Sequence, residues 1–203
     1  MKRFLKRANR GLILGAFAIV VLVIYIVVDY SNFNSEKPKI KEDVENYIGD
    51  FYNCLEKNDL EALKKHVKDS WTGEPVMQTS YYEDKNSMLT LFDQAEAQNP
   101  SSKYGEITYT MDEMSIKKSG PNMAYVTVKF TASIEYGCCA DIIEPFCPYV
   151  MCWYYSEEQN DDRYVYEMDF EGSLYLRKED GEWKISQSDV WSTSCMPHAK
   201  EGE

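Results

Sequence analysis

The strongest constraint on this chain is an uncharged run of eighteen residues, 11–28, near its N-terminus. As an α-helix rising about 1.5 Å per residue, the run spans roughly 27 Å, close to the roughly 30 Å hydrocarbon thickness of a bilayer. A helix satisfies its own backbone hydrogen bonds, as a membrane interior requires. We therefore predict a transmembrane helix over residues 11–30, preceded by a basic stub of residues 1–10.

The charges on the two sides of this segment predict its orientation. The stub holds five basic residues and no acidic one, whereas acidic residues follow the run from Asp29 onwards. Basic residues favour the cytoplasmic side. We expect a single-pass cell-membrane protein with a cytoplasmic N-terminus and an extracytoplasmic C-terminal domain. The alternative is a cleaved secretory signal, but no small-x-small cleavage site follows the run, which exceeds the roughly 7 to 15 residues usual in signals.

The remainder of the chain is acidic. Without the five basic residues of the stub, 17 basic and 34 acidic residues give it a net charge of −17. Such a surface repels nucleic acid, so no nucleic-acid partner is expected. The sequence has no Gly-rich phosphate loop, His-Glu-x-x-His motif or nucleophile elbow. We expect His66 on the surface or at a helix end and His198 in the tail, and we predict no catalytic residue, metal site or cofactor.

All six cysteines follow the apolar run, in the part expected outside the cytoplasm. Their even number and that location favour disulfides. Cys54 and Cys195 form one candidate pair, and the clustered four would then close their own loop. A zinc site is the competing interpretation, but the spacing Cys-Cys-x7-Cys-x4-Cys lacks the paired knuckles of structural zinc sites. The disulfide candidates are Cys54, Cys138, Cys139, Cys147, Cys152 and Cys195.

Composition and spacing divide the chain after the anchor. Residues 31–39 are polar, contain Pro38 and show no period, which predicts a linker. An extracytoplasmic domain is expected over residues 40–195, followed by a tail of residues 196–203.

The first half of this domain is predicted to be helical. Asp59 is the expected N-cap of a second helix, residues 71–82 are expected to form a loop, and a third helix is expected over residues 87–98, before Pro100. A first helix of about 18 residues is predicted from apolar positions spaced three or four apart: Ile40, Val44, Tyr47, Ile48, Phe51, Cys54 and Leu55.

Alternating apolar and polar residues predict antiparallel strands in the second half. Residues 122–136 and 164–177 alternate throughout, and the phase over residues 107–116 slips near Asp112, as a β-bulge would cause. An Asp-Gly hairpin within residues 179–182 begins the last strand. The fold class expected is α+β, with three helices packed on a curved antiparallel sheet of about four strands.

Acidic residues share one face of the 164–177 strand. Glu167, Asp169 and Glu171 alternate there, and Glu135 could join them from the neighbouring strand as a cation site. A solvated sheet face is the favoured interpretation, because sites for hard cations usually gather their ligands on a loop.

Two stretches resemble the nuclear-transport-factor-2-like superfamily of cone-shaped α+β domains. They are the helix break EKNDLEALKK of residues 56–65 and the hairpin EDGEWKI of residues 179–185. The resemblance covers about residues 40–191 and implies a curved sheet wrapped around helices. The superfamily includes isomerases and dehydratases that act inside the cone, as well as non-catalytic assembly domains. The layout is also similar to that of single-pass assembly proteins of bacterial type IV secretion and conjugation machines.

An insertion of residues 137–162 separates two long strands that a short hairpin would normally join. It is rich in cysteine and in large apolar side chains. It either folds back over the open end of the cone or presents a partner-binding surface, since aromatic residues dominate interface hot spots. The partner-binding candidates are Phe146, Tyr149, Trp153, Tyr154 and Tyr155.

These features favour a non-catalytic, membrane-anchored scaffold or protein-interaction domain, such as a component of a secretion, conjugation or other envelope complex. Its expected partners are the membrane and other envelope proteins, with homo-oligomerisation left open. The alternative is a surface-tethered domain that binds a small ligand, or acts as an isomerase or dehydratase, in the cone cavity. An interior filled by Phe, Leu and Tyr favours the first function, and a cavity lined by His or carboxylates favours the second.

Overall fold

The structure is a computed structural model of the chain, and it describes residues 10–57, 59–76, 82–98, 104–137, 163–190 and 197–199. Two compact units make up the chain, Met1–Lys39 and Ile40–Glu203. The first helix, α1 (Arg10–Glu56), contributes residues to both.

In the first unit, α1 exposes a continuous apolar surface over residues 11–28. Leu14 and Leu22, for example, are 68% and 58% exposed. Apolar surface of this extent marks a contact with a membrane or another protein. By length and composition, α1 is the one helix within the described ranges that can cross a membrane. The helix expected over residues 11–30 is therefore confirmed as a helix.

Residues 31–39, predicted to be a linker, are helical and continue α1. Ser35 Oγ donates to the Asn32 carbonyl at 2.7 Å. The Lys37 ammonium lies 5.7 Å from the centroid of the Phe33 ring, one helical turn away. Pro38 lies inside the helix, where it lacks a backbone donor and its ring crowds the carbonyl four residues earlier. A mainly polar helix without an apolar stripe shows no hydrophobic period, so the pattern could not reveal this one.

Two shorter helices of the second unit, α2 (Leu60–Ser70) and α3 (Lys85–Gln98), lie close to their predicted positions. Asp59 caps α2 as expected, because its Oδ1 accepts the Ala62 N–H at 2.9 Å. Asp84 caps α3 in the same way by accepting the Ser87 N–H at 2.8 Å, and its own N–H donates to Ser87 Oγ. This capping box starts α3 two residues earlier than predicted.

The buried stripe of α1 in the second unit differs from the predicted one at one turn. Tyr52 is 3% exposed, whereas Cys54, which the spacing placed on the stripe, is only half-buried. Tyr52 follows Ile48 by four residues and precedes Leu55 by three, so it also has helical spacing. The buried residues are Ile40, Val44, Tyr47, Ile48, Phe51, Tyr52 and Leu55.

One antiparallel sheet completes the second unit. Its strands follow the order β1-β5-β4-β3-β2, and β6 also pairs with β4. The predicted α+β fold is confirmed, and β1 and β6 add to the four long strands expected; strands of two or three residues carry no readable period. The strands are β1 (Glu83–Asp84), β2 (Tyr104–Gly120), β3 (Met123–Gly137), β4 (Arg163–Glu179), β5 (Glu182–Ser188) and β6 (Pro197–Ala199).

The strand connections follow the predicted turn chemistry. Asp180 and Gly181 have φ angles of 51° and 88°, as a type I′ hairpin turn requires. Asn122, with φ of 55°, lies in the turn between β2 and β3. The register of β2 on β3 shifts between Met111 and Glu113, where the phase slip predicted a bulge.

The last described residues, which were expected in a tail, form β6. It pairs with the stretch from Tyr166 to Met168 of β4, whereas β5 pairs with β4 only from Leu174 to Glu179. Backbone donors and acceptors of β4 beyond the end of β5 need partners. Strand β6 supplies these partners along the same edge of β4 that β5 occupies farther on.

The segment after α2 is a loop over residues 71–76, as predicted, and it lies along β5. Trp71 makes a parallel bridge with Ile185. Ser186 Oγ donates to the Glu74 carbonyl at 2.7 Å, across 112 residues of sequence. The segment directly after α2 is therefore held by the last long strand.

Candidate functional site

Stacked aromatic side chains occupy the interior of the second unit, between α1 and the sheet. Phe130 of β3 and Phe170 of β4 are paired in register, and their ring centroids lie 4.8 Å apart with planes 13° from parallel. Tyr52 of α1 stands edge-on to both rings, at 6.1 and 6.4 Å. None of the three is more than 4% exposed. The inner face of β3 and β4 is packed core at this point.

Tyr109 of β2 closes one side of this aromatic core. Its hydroxyl donates to the Glu45 carbonyl of α1 at 3.1 Å. Its ring centroid lies 6.2 Å from that of Phe130 and 5.8 Å from that of Tyr52. Gly49 permits this approach, because a Cβ there would lie 3.1 Å from the Tyr109 hydroxyl oxygen.

Three further rings join α1 to the end of α2, and we name Tyr47, His66 and Trp71 the corner cluster. Tyr47 stacks on His66, with centroids 4.8 Å apart and planes 19° from parallel. Trp71 lies edge-on to Tyr47 at 6.3 Å, and its Nε1–H donates to the Tyr47 hydroxyl oxygen at 2.8 Å. The corner cluster continues the aromatic core, since Tyr47 also lies 6.4 Å from Phe51.

Burial dominates the electrostatics of the corner cluster. It raises the pKa of the Tyr47 phenol far above its ordinary value. It lowers the pKa of His66, although the Asp50 charge and a hydrogen bond to the Tyr47 backbone act in the opposite direction. His66 lies in the second half of α2, as expected, but it is not a surface residue. Its ring is half-buried because α1 packs across it.

The outer face of β3 and β4 is polar. Lys129 Nζ lies 2.9 Å from Glu171 Oε2, and Thr131 Oγ1 lies 2.9 Å from Asp169 Oδ1 and 3.2 Å from Asp112 Oδ2. Asp169 and Glu171 are exposed. Within the described part of the chain, no group of three or more His, Cys, Asp or Glu side chains can hold a metal ion. The arrangement is that of a solvated sheet face.

Asp189 and Gly172 shape the stretch of β4 between β5 and β6. The Ser173 N–H donates to Asp189 Oδ1, and the Asp189 N–H donates to the Ser173 carbonyl at 3.1 Å. A Cβ on Gly172 would lie 2.5 Å from Val190 Cα, so this position requires glycine.

Burial raises the pKa of the Asp189 carboxyl. Desolvation, followed by the Asp189 charge, raises the pKa of Tyr82 to about 12.

The predicted interaction surface lies outside the described residues. This applies to Phe146, Tyr149, Trp153, Tyr154 and Tyr155 of the insertion, and to Cys138, Cys139, Cys147, Cys152 and Cys195. Cys54 is the one cysteine in the described ranges, and it is a half-buried free thiol whose pKa is raised by burial. Its pairing with Cys195 stays a prediction.

Sequence reasoning did not identify the corner cluster as a unit. It placed Tyr47 on the buried stripe of α1, Trp71 in a loop, and His66 on the surface or at a helix end. The available signal was the position of Trp71 directly after α2, since a large apolar side chain at a helix end often packs onto the preceding helix. The glycine requirement at position 172 left no signal, because it depends on Val190 crossing β4.

No protein-family model matches the chain, and no curated protein matches it. Solved structures similar to it include a hexachlorocyclohexane dehydrochlorinase (LinA) Type2, at 10% identity and a TM-score of 0.46 over 82% of this chain and 93% of that one. Another is a putative dehydratase from the NTF2-like family of Streptomyces avermitilis, at 16% identity and a TM-score of 0.39 over 71% and 90%.

A third similar structure is the intermembrane space region of the chloroplast protein ARC6, at 14% identity and a TM-score of 0.40 over 72% of this chain and 92% of that one. The likenesses are distant, and they carry no statement about what this chain binds or catalyses. The arrangement of helices and sheet described above is the one that the resemblance to the nuclear-transport-factor-2-like superfamily predicted.

Proposed function

We propose that this chain is a membrane-anchored, non-catalytic interaction domain that holds partners together in an envelope complex, such as a secretion or conjugation machine. Residues 11–28 anchor it, its N-terminus is cytoplasmic, and the unit Ile40–Glu203 works outside the cytoplasm. The five basic residues ahead of the anchor and the acidic remainder support this orientation.

The observation that carries the proposal is the aromatic core that packs between α1 and the inner face of β3 and β4. A ligand-binding or catalytic cone needs open space lined by a few polar groups, often with a carboxylate or His base. Here Phe130, Phe170 and Tyr52 pack against one another where the inner sheet face meets α1. This agrees with the criterion that an interior of Phe, Leu and Tyr favours a scaffold over an enzyme.

Photo-crosslinking in native membranes tests the interaction role. A photoreactive residue replaces Trp153 or Tyr155 in the full chain, and a matched probe replaces Lys129 on the exposed outer sheet face. The proposal expects the two insertion probes to capture a defined set of envelope proteins that the Lys129 probe does not capture. Self-crosslinks alone would indicate a homo-oligomer instead.

The enzymatic or ligand-binding alternative makes a different prediction for the same membranes. It predicts that a small molecule binds in the cone, and native mass spectrometry of the extracted protein would detect a tightly bound one by its fixed stoichiometry. Such a ligand, together with the absence of protein adducts from Trp153 and Tyr155, would overturn the scaffold proposal.

Protease protection tests the orientation. In intact cells, a protease added outside should remove a C-terminal tag and leave an N-terminal tag untouched. If the C-terminal tag stays protected once any outer membrane and wall have been removed, and is cleaved only after the cytoplasmic membrane is lysed, the proposed topology is contradicted.

A further inference from the structure

The corner cluster holds together two helices through one titratable ring. The His66 ring of α2 stacks on the Tyr47 ring of α1 with centroids 4.8 Å apart, and the Trp71 indole N–H, directly after α2, donates to the hydroxyl of the same tyrosine at 2.8 Å. Tyr47 is 5% exposed and Trp71 is 1% exposed. A change at His66 therefore acts on a contact between elements rather than on an isolated side chain.

The two nitrogens of His66 have different surroundings. One nitrogen makes a hydrogen bond to the Tyr47 backbone, and this bond favours the protonated ring. The other, Nε2, is buried and has no hydrogen-bond partner among the described residues. In the neutral ring that makes the first hydrogen bond, Nε2 carries no proton and is only an acceptor. Leaving a neutral acceptor without a partner costs less than leaving a buried charged donor without one. The imidazolium adds an N–H at Nε2, and a buried charged donor without an acceptor is costly.

The charged groups around the ring come from both helices. Asp50 of α1 and Asp69 of α2 favour the imidazolium. Lys65 forms an ion pair with Asp69, which weakens the attraction between the Asp69 charge and the His66 ring. The Lys85 ammonium of α3 donates to the backbone carbonyls of Lys68 and Trp71 at 2.6 and 2.8 Å. Asp50 and Asp69 are exposed, so solvent screens their attraction. Desolvation outweighs it.

We propose that the corner cluster is an acid-sensitive lock: neutral His66 holds α1 against α2, and its protonation loosens the corner. The inference does not depend on the scaffold role. It gives the second unit a response to acid that one imidazole controls.

The direction of the pH effect follows from proton uptake. An unfolded chain protonates His66 near the ordinary value of 6.5, whereas the folded chain does so only at lower pH. The lock is fully present above about pH 6.5 and is lost as the pH falls below it. Within that window one proton raises the unfolding equilibrium constant by at most about tenfold for each pH unit.

The chain contains two histidines, which provides a matched control. The experiment measures denaturant unfolding of the full chain in nanodiscs between pH 7.5 and pH 5, for the natural chain, His66→Phe and His198→Gln. His66→Phe keeps a ring on Tyr47 and removes the titration. We expect the natural chain and His198→Gln to lose stability alike below about pH 6.5, with His66→Phe lacking that component. An unchanged pH dependence in His66→Phe would overturn the proposal.

A second measurement decides the question even when His66→Phe does not fold. NMR of the natural chain labelled at its histidines follows both imidazoles, and His198→Gln assigns them. A His66 resonance that titrates below pH 6.5, with shifts of the Trp71 indole N–H over the same range, supports the lock. Titration at or above 6.5, or an indole that does not respond, would overturn it.

Discussion

Adjacent registers of the same two strands, β3 and β4, present two very different pairs. Phe130 and Phe170 stack on the inner face with ring centroids 4.8 Å apart, and they are 1% and 4% exposed. One residue away, on the outer face, Lys129 and Glu171 form an ion pair at 2.9 Å, with side chains 50% and 71% exposed. Both pairs are in contact, but only the first removes its atoms from water.

Burial rather than proximity decides what each pair contributes. A fully buried aromatic side chain gains from the removal of apolar area and from ring packing. An exposed ion pair loses side-chain entropy and is screened by solvent and salt. The inner face should therefore determine the stability of the second unit, while the outer face can change with little effect.

The largest effect is expected from Phe130→Ala. Removing this ring leaves a cavity against Phe170 and Tyr52, and such truncations of buried aromatics cost about 3 to 5 kcal/mol. Denaturant unfolding in nanodiscs measures the change. A loss no greater than that of the outer-face variant Lys129→Ala would break the comparison between the two faces.

Gly172→Ala should destabilise the second unit by about 1 to 3 kcal/mol, the usual range for overpacking. The added Cβ meets backbone atoms of Val190, which cannot rotate away as a side chain can. Gly73→Ala is the control, because a Cβ at position 73 would meet no atom within 4 Å. Equal melting temperatures for the two variants would show that Val190 lies farther from position 172 of β4 than the structure indicates.

Asp189→Asn should change the pH dependence more than the stability. Because burial raises the pKa of Asp189 above 3.8, the folded chain holds this proton at a higher pH than the unfolded chain. The corresponding stability is present below pH 3.8 and lost as the pH rises through the folded value. Asparagine keeps an oxygen for the Ser173 N–H and removes this loss, so the variant should be at least as stable as the natural chain at pH 7.

Unfolding at pH 4 and pH 7 measures this difference. Asp189→Ala is the matched variant, because it removes the acceptor as well as the charge and should be less stable at both values. An Asp189→Asn chain that is less stable than the natural one at pH 7 would mean that the carboxylate is favoured at this site.

The smallest effect is expected from Lys129→Ala and Glu171→Ala. Both side chains are exposed, and the ion pair lies in high dielectric. Each variant should unfold within experimental error of the natural chain at physiological salt. A double-mutant cycle with a measurable coupling would show that the outer face contributes to stability after all.

The long strands were predictable because burial imposes a period of two. Ala124, Val126, Val128 and Phe130 alternate with polar residues, and all four are at most 1% exposed. The hairpin turn at Asp180 was predictable for a local reason, since Asp-Gly suits positive φ angles. Caps, turns and alternation are local properties, and a single sequence contains them.

The corner cluster and β6 were not predictable because they depend on distant pairings. The bond between Trp71 and Tyr47 joins residues 24 apart, one directly after α2 and one on α1. Strand β6 forms where β4 continues past β5, and its three residues have no period of their own. The segment 31–39 shows the converse, since helix formation there needs no apolar face and leaves no hydrophobic signal.

The bond between Ser186 and Glu74 has a consequence for biosynthesis. Its two residues are 112 positions apart, so the helical half of the unit leaves the ribosome well before β5 exists. At roughly 5 to 20 residues per second, that interval lasts on the order of 5 to 20 seconds. During this time the sheet that covers the buried stripe of α1 is incomplete, and the segment after α2 lacks the strand that it lies along. Apolar surface that stays uncovered for seconds is prone to aggregate, and a chaperone or a partner already at the membrane would protect it until the last long strand arrives.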